Sequence, residues 1–137
     1  TKALGNTIDL NAANTIYGIT LESSHNSKIM DNHISMASDA AYGIEAYKSN
    51  SNLIENNIIS GEGKLIAGFA GTNTNNNVIR SNTIASKGTD SNKNMRHDVI
   101  KAANSGIYME GASKGNLIDS NNITTELPAE PQSGDQD

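Results

Sequence analysis

The sequence has no cysteine, no tryptophan, one phenylalanine and two prolines in 137 residues. Without cysteine there is neither a disulfide framework nor thiol chemistry, and the redox compartment stays open. Without tryptophan, a sugar-binding face must stack its rings on tyrosine alone. Basic residues are few as well: ten Lys and Arg stand against fifteen Asp and Glu. They form no clustered basic face, which excludes a nucleic-acid surface. No apolar run is long enough to span a membrane, no signal peptide is recognisable, and no window carries a helical period. Both prolines fall between Thr124 and Asp137, with four acids and no base. That stretch reads as a disordered tail or linker. The remaining ten bases and eleven acids leave the body, residues 1–123, near −1.

What is present repeats. Ile54-Glu55-Asn56-Asn57-Ile58-Ile59 returns upstream as Ile29-Met30-Asp31-Asn32-His33-Ile34 and downstream as Ile79-Arg80-Ser81-Asn82-Thr83-Ile84. A fourth copy is Ile118-Asp119-Ser120-Asn121-Asn122-Ile123. A second marker keeps step with it: Gly18-Ile19, Gly43-Ile44, Gly68-Phe69 and Gly106-Ile107. Its apolar residue lies ten positions before the motif's opening Ile in three copies and eleven in the last. Two markers in one register at a period in the twenties define a solenoid.

Residue types choose among solenoids. A leucine-rich repeat needs Leu at most core positions and a helical segment in each unit. Here the core residue is Ile, and the apolar positions alternate as in strands: Ile19 with Leu21, Ile44 with Ala46, Ile107 with Met109. Three short strands and three turns account for about 25 residues, and successive coils stack about 4.8 Å apart by parallel pairing. The prediction is an all-β parallel β-helix of about five coils of about 25 residues over residues 1–123, followed by the tail, 124–137. The motif Asn turns a corner, where a left-handed residue is needed and Asn tolerates that conformation. Stacked Asn32, Asn57, Asn82 and Asn121 would also form an amide ladder.

Repeats of the form N-x-I-x-x-N-x-I followed by G-I resemble those of right-handed parallel β-helix proteins of the pectin-lyase-like superfamily. That group includes polysaccharide lyases, alginate C5-epimerases, phage tailspikes, NosD-like proteins and surface adhesins. The resemblance covers roughly residues 3 to 123 and is specific for fold more than for activity. It implies a ligand lying across one sheet, between the turns that flank it. Tyr42-Gly43-Ile44-Glu45-Ala46-Tyr47 is further similar to the Tyr-Gly-Phe-Asp-Pro-His motif of the epimerases, whose tyrosine, acid and histidine sit at the reaction centre. Tyr42 and Glu45 match the tyrosine and the acid, Tyr47 stands in the histidine's place, and the proline is missing.

The Gly-Ile sheet, read as following the longest and most variable turn, is the expected ligand face. Alternation turns Thr20 and Glu22, Glu45 and Tyr47, Ala70 and Thr72, and Tyr108 and Glu110 outward. Glu45 and Glu22 would be diagonal neighbours about 7 Å apart at the backbone. That spacing suits a general acid and base acting on a glycosidic bond through a water. An insertion between Ala85 and Ser105 carries the densest charge, and His97 beside Asp98 in it could orient an imidazole for acid–base work. The candidate catalytic residues are therefore Glu45, Glu22 and His97. Tyr47 and Tyr108, read as the two outward aromatics, join Glu110, Lys48, Arg96 and Asp98 as candidate substrate-binding residues.

No ligand spacing for a metal occurs and the glycine-rich Ca²⁺-binding nonapeptide is absent, so no cofactor is expected and Ca²⁺ would bind without a motif. His25 and His33 fall in different corners, too far apart in the coil to share a metal. The expected partner is polysaccharide, with the chain secreted or at the cell surface, as a C5-epimerase, lyase or depolymerase type of module. The alternative is a non-catalytic adhesin or tail-fibre scaffold segment. The chain opens in mid-pattern, with Ala3, Asn6 and Ile8, and shows no cap helix. It is read as a piece of a longer solenoid whose uncapped coil ends favour self-association.

Overall fold

The computed structural model describes residues 1–88 and 105–126. The inserted segment with Arg96, His97 and Asp98, and residues 127–137 of the expected tail, lie outside the described residues. The first coil comprises β1 (Lys2–Leu4), β2 (Thr7–Asn11) and β3 (Thr15–Glu22). The second is β4 (Lys28–Met30), β5 (His33–Ala37) and β6 (Ala40–Tyr47), and the third β7 (Leu53–Glu55), β8 (Ile58–Gly63) and β9 (Leu65–Thr72). Then follow β10 (Val78–Arg80), β11 (Thr83–Gly88), β12 (Ser105–Glu110), β13 (Leu117–Asp119) and β14 (Asn122–Glu126). Every pairing is parallel, and the strands form three sheets ordered β1-β4-β7-β10-β13, β2-β5-β8-β11-β14 and β3-β6-β9-β12.

Residues a coil apart are vertical neighbours, as predicted. Ala3, Ile29, Ile54, Ile79 and Ile118 form one inward column. Ile8, Ile34, Ile59, Ile84 and Ile123 form a second, and Ile19, Ile44, Phe69 and Ile107 a third. The middle members are fully buried, each contributing on the order of 1.5–3 kcal/mol of hydrophobic stabilisation. The regular turns of about 25 residues number about three, fewer than the five coils expected. The step from Ile79 to Ile118 takes in the insertion and breaks the period. The last strand runs on to Glu126, three residues into the segment read as tail.

The ladder is present and longer than expected. The side-chain amide nitrogen of Asn6 donates to Asn32 Oδ1 at 2.9 Å, Asn32 to Asn57 at 2.9 Å, Asn57 to Asn82 at 3.0 Å and Asn82 to Asn121 at 3.0 Å. The reason for Asn differs from the expectation. The left-handed residue is the one before it, in the column Gly5, Asp31, Asn56, Ser81 and Ser120, with φ between 55° and 62°. The ladder Asn turns its side chain inward, where its oxygen accepts the preceding coil's backbone N–H as well as its amide. Such a buried corner needs a side chain that donates and accepts at once. A second column does the same work one corner earlier: Asn52 and Asn77 accept from the backbone N–H of Ser27 and Asn52, and Asn77 donates to Asn116 at 3.0 Å. The first Asn of the N-x-I-x-x-N-x-I repeat marks that column.

The marker glycine has its own cause. A Cβ on Gly43 would sit 2.5 Å from Ile59 Cγ2 and 2.6 Å from the Gly68 carbonyl oxygen of the next coil. Only a residue without a side chain lets the backbones close up there.

Candidate functional site

The β3-β6-β9-β12 sheet presents three outward columns. Thr20, Glu45, Ala70 and Tyr108 are in register, as are Glu22, Tyr47, Thr72 and Glu110, so Glu22 is the diagonal neighbour of Glu45 as expected. The third column was not foreseen. Tyr17 and Tyr42 are paired in register and their rings stack, with centroids 5.3 Å apart and planes 13° from parallel. Tyr47 and Tyr108 are therefore not the only outward aromatics. The close backbone approach at Gly18 and Gly43 interrupts strict alternation. Ile16 and Ile19 both pack against the core while Tyr17 between them faces out, half-exposed. A tyrosine two residues before the core Ile, repeated one coil later, was the available signal.

Between the larger side chains of β6 and β12, β9 carries only Ala67, Ala70 and Thr72 outward. This leaves a hollow two strand spacings wide, about 9.6 Å. Its volume is about 240 Å³, and its lining is Tyr17, Tyr42, Glu45, Ala70, Thr72, Tyr108 and Glu110. Glu110 is fixed on its wall: Oε1 accepts from the Thr72 hydroxyl at 3.1 Å and Oε2 from the Tyr108 hydroxyl at 2.8 Å. Burial, aided by the Glu22 charge, raises the Glu45 carboxyl above its ordinary value. Burial first, then Tyr17, Glu45 and Glu110, push the Tyr42 hydroxyl up. The hydrogen bond to Glu110 does the same for Tyr108. The hollow has a negative field and no described Lys or Arg on its wall.

Of the residues singled out from sequence, Glu45, Tyr108 and Glu110 meet in this hollow, with Glu22 beside Glu45 on the same sheet. Tyr47 and Lys48 stand apart from it, the Lys48 ammonium lying 4.9 Å from the centre of the Tyr47 ring. His97, Arg96 and Asp98 lie outside the described residues. The turn before this sheet varies from coil to coil, but in the regular coils it is shorter than the uniform turn after it. A second hollow of about 340 Å³ crosses the β2-β5-β8-β11-β14 sheet over Asp9, Ser35, Ser60, Ala85 and Thr124 and has no aromatic lining. The described residues hold no group of three His, Cys, Asp or Glu side chains placed for a metal. They form no helix long and apolar enough to cross a membrane.

Three parallel sheets wound at a 25-residue pitch, with inward Ile columns and an amide ladder, define a protein of the right-handed parallel β-helix class. Within that class, residues 1–131 match the family described as Periplasmic copper-binding protein (NosD), and the chain belongs to that family. No curated protein and no solved structure matches it.

Proposed function

We propose that this β-helix binds polysaccharide across the β3-β6-β9-β12 sheet, in an extracytoplasmic setting in keeping with the periplasmic description of its family. One observation carries the reading: a hollow walled by Tyr17, Tyr42 and Tyr108, with Glu45 and Glu110 converging over the small side chains of β9. Tyrosine rings offer flat apolar area to a sugar ring, and carboxylates accept its hydroxyl hydrogen bonds. Glu45 and its diagonal neighbour Glu22 on the same sheet suit turnover of a glycan. Glu45, favoured in its protonated form by burial and by Glu22, is the donor to a leaving oxygen, with Glu22 as the opposed base.

Titration calorimetry of the chain with a panel of oligosaccharides tests the binding. Tyr42→Ala is expected to weaken the best binder about tenfold or more, the loss of one aromatic contact of about 1.4 kcal/mol. Affinity that survives this change, or a panel without a binder, ends the reading. For turnover, Glu45→Gln must abolish any product seen as new reducing ends or by proton NMR.

Copper, which the family description names, does not fit the described side chains. There is no cysteine, and the Met36 thioether is packed in the core. His25, in the turn after β3, accepts the Asn50 backbone N–H at Nδ1, and His33 opens β5. A second reading is a non-catalytic scaffold segment; it is favoured by the exposure of Ile118 and Ile123, 49% and 41%, at core register on the last described rung.

A further inference from the structure

The walls of the hollow are selective in charge. Glu45 and Glu110 face it, Glu22 adds to the field from beside Glu45, and the lone described lysine nearby, Lys48, lies over the Tyr47 ring instead. Glu110 is held by Thr72 and Tyr108, so its oxygens are positioned acceptors with lone pairs left over. Tyr17, Tyr42 and Tyr108 line the same space, and the face of an aromatic ring carries the negative part of its quadrupole. Aromatic faces beside carboxylates favour a cation over a neutral group. They disfavour an anion by like-charge repulsion.

We propose that the sugar taken up here carries a protonated amine, so that the ligand class is a polysaccharide of free, de-N-acetylated amino sugars rather than a uronan. The inference rests on the glycan reading above and names its substrate. A ring amine beside Glu45 pairs with that carboxylate and relieves the repulsion between Glu45 and Glu22, while the Glu110 carboxylate adds to the field across the hollow. An acetamido group offers no charge for this, and a uronate adds a third acid to a site that already holds two. The raised carboxyl of Glu45 fits the same account, since an adjacent cation would return it to the ionised form.

The test uses the whole chain at pH 6 and three oligosaccharides of equal length: glucosamine, N-acetylglucosamine and a uronate. The glucosamine oligomer is expected to bind about tenfold tighter than the acetylated one, the scale of one desolvated cation–aromatic and carboxylate contact. The uronate is expected to bind weakest. Glu45→Gln should remove most of the preference for the amine, read as the ratio of the two affinities. Glu62→Gln, on the β8 strand of another sheet, should leave the preference intact. Equal affinity for the amine and acetylated oligomers, both lost in Tyr42→Ala, overturns the charge inference and keeps the glycan reading. Tightest binding of the uronate overturns it likewise. An equal loss in Glu45→Gln and Glu62→Gln shows attraction to net charge alone and overturns it too. Binding of none of the three removes the reading beneath it as well.

Discussion

Asn57 uses one side chain for four bonds. Its nitrogen donates to the Ile29 carbonyl at 2.9 Å and to Asn82 Oδ1 at 3.0 Å, while its oxygen accepts from Asn32 twice. The residue is fully buried, so water cannot replace any of these. Asn56, next to it, is exposed and carries the left-handed backbone at φ 56°. Asn57→Ala leaves several buried partners unpaired and is expected to cost on the order of 3 kcal/mol or more. Asn56→Ala is expected to cost only about 1 kcal/mol, from losing the polar side chain that makes Asn tolerant of that conformation. Urea denaturation of both variants measures the difference, and equal costs would take the ladder out of the account of stability. At Glu45 the prediction concerns pH. Its folded-state pKa lies above the ordinary 4.5 because burial and Glu22 disfavour the anion. The folded chain then holds this proton more tightly than the unfolded chain, so its contribution to stability falls as pH rises from about 4.5 through the folded value. Glu45→Gln should remove that part of the decline, leaving the variant relatively more stable at neutral pH than at pH 4. A stability difference between the two that is flat with pH would refute the burial of this carboxyl.

At the level of strands and corners, most of the architecture was legible because each coil repeats the same local problem. Ile54 and Ile59 on either side of a two-residue corner, returning at Ile79 and Ile84, specify which faces turn inward before any contact is known. The parallel pairing and the ladder follow from that spacing. The tyrosine pair was not legible by counting alternate residues, since the backbone approach at Gly18 and Gly43 shifts the phase by one and brings Tyr17 and Tyr42 outward. The hollow escaped for a related reason. It is made by what β9 lacks, and Ala67 and Ala70 signal nothing until β6 and β12 stand on either side of them. The corner chemistry was misassigned between neighbours: both Asn56 and Asn57 suit a turn, and only the inward direction of the second distinguishes a ladder residue from a left-handed one. Glu45, Tyr108 and Glu110 share the outward face because they lie beyond the glycine, where alternation resumes.

At the scale of the whole coil, the first and last described rungs are complementary. Ile79 and Ile84 are almost completely buried, yet Ile118 and Ile123, their partners on the last described rung, are 49% and 41% exposed. Among the described residues, β13 and β14 each pair on one side only, and an unpaired edge is a template for a further strand. In the described ladder every amide nitrogen donates toward the higher-numbered Asn; Asn121 donates to the Ile79 carbonyl and to no further described Asn, and no described Asn donates to Asn6. Stacking the last rung of one copy under the first rung of the next would continue the isoleucine columns, the parallel pairing and the ladder together. Such a head-to-tail contact between copies of residues 1–137 would not close on itself and would lead to open rods, not dimers. Light scattering over a concentration series is expected to show progressive growth in mass. Ile118→Lys with Ile123→Lys should keep the chain monomeric by burying charge in the contact. Leu117→Lys, whose side chain is also exposed but points out of the coil in register with Val78, should leave growth unchanged. A monomer at all concentrations, a closed dimer, or growth that Leu117→Lys stops as well would each contradict the end-to-end contact.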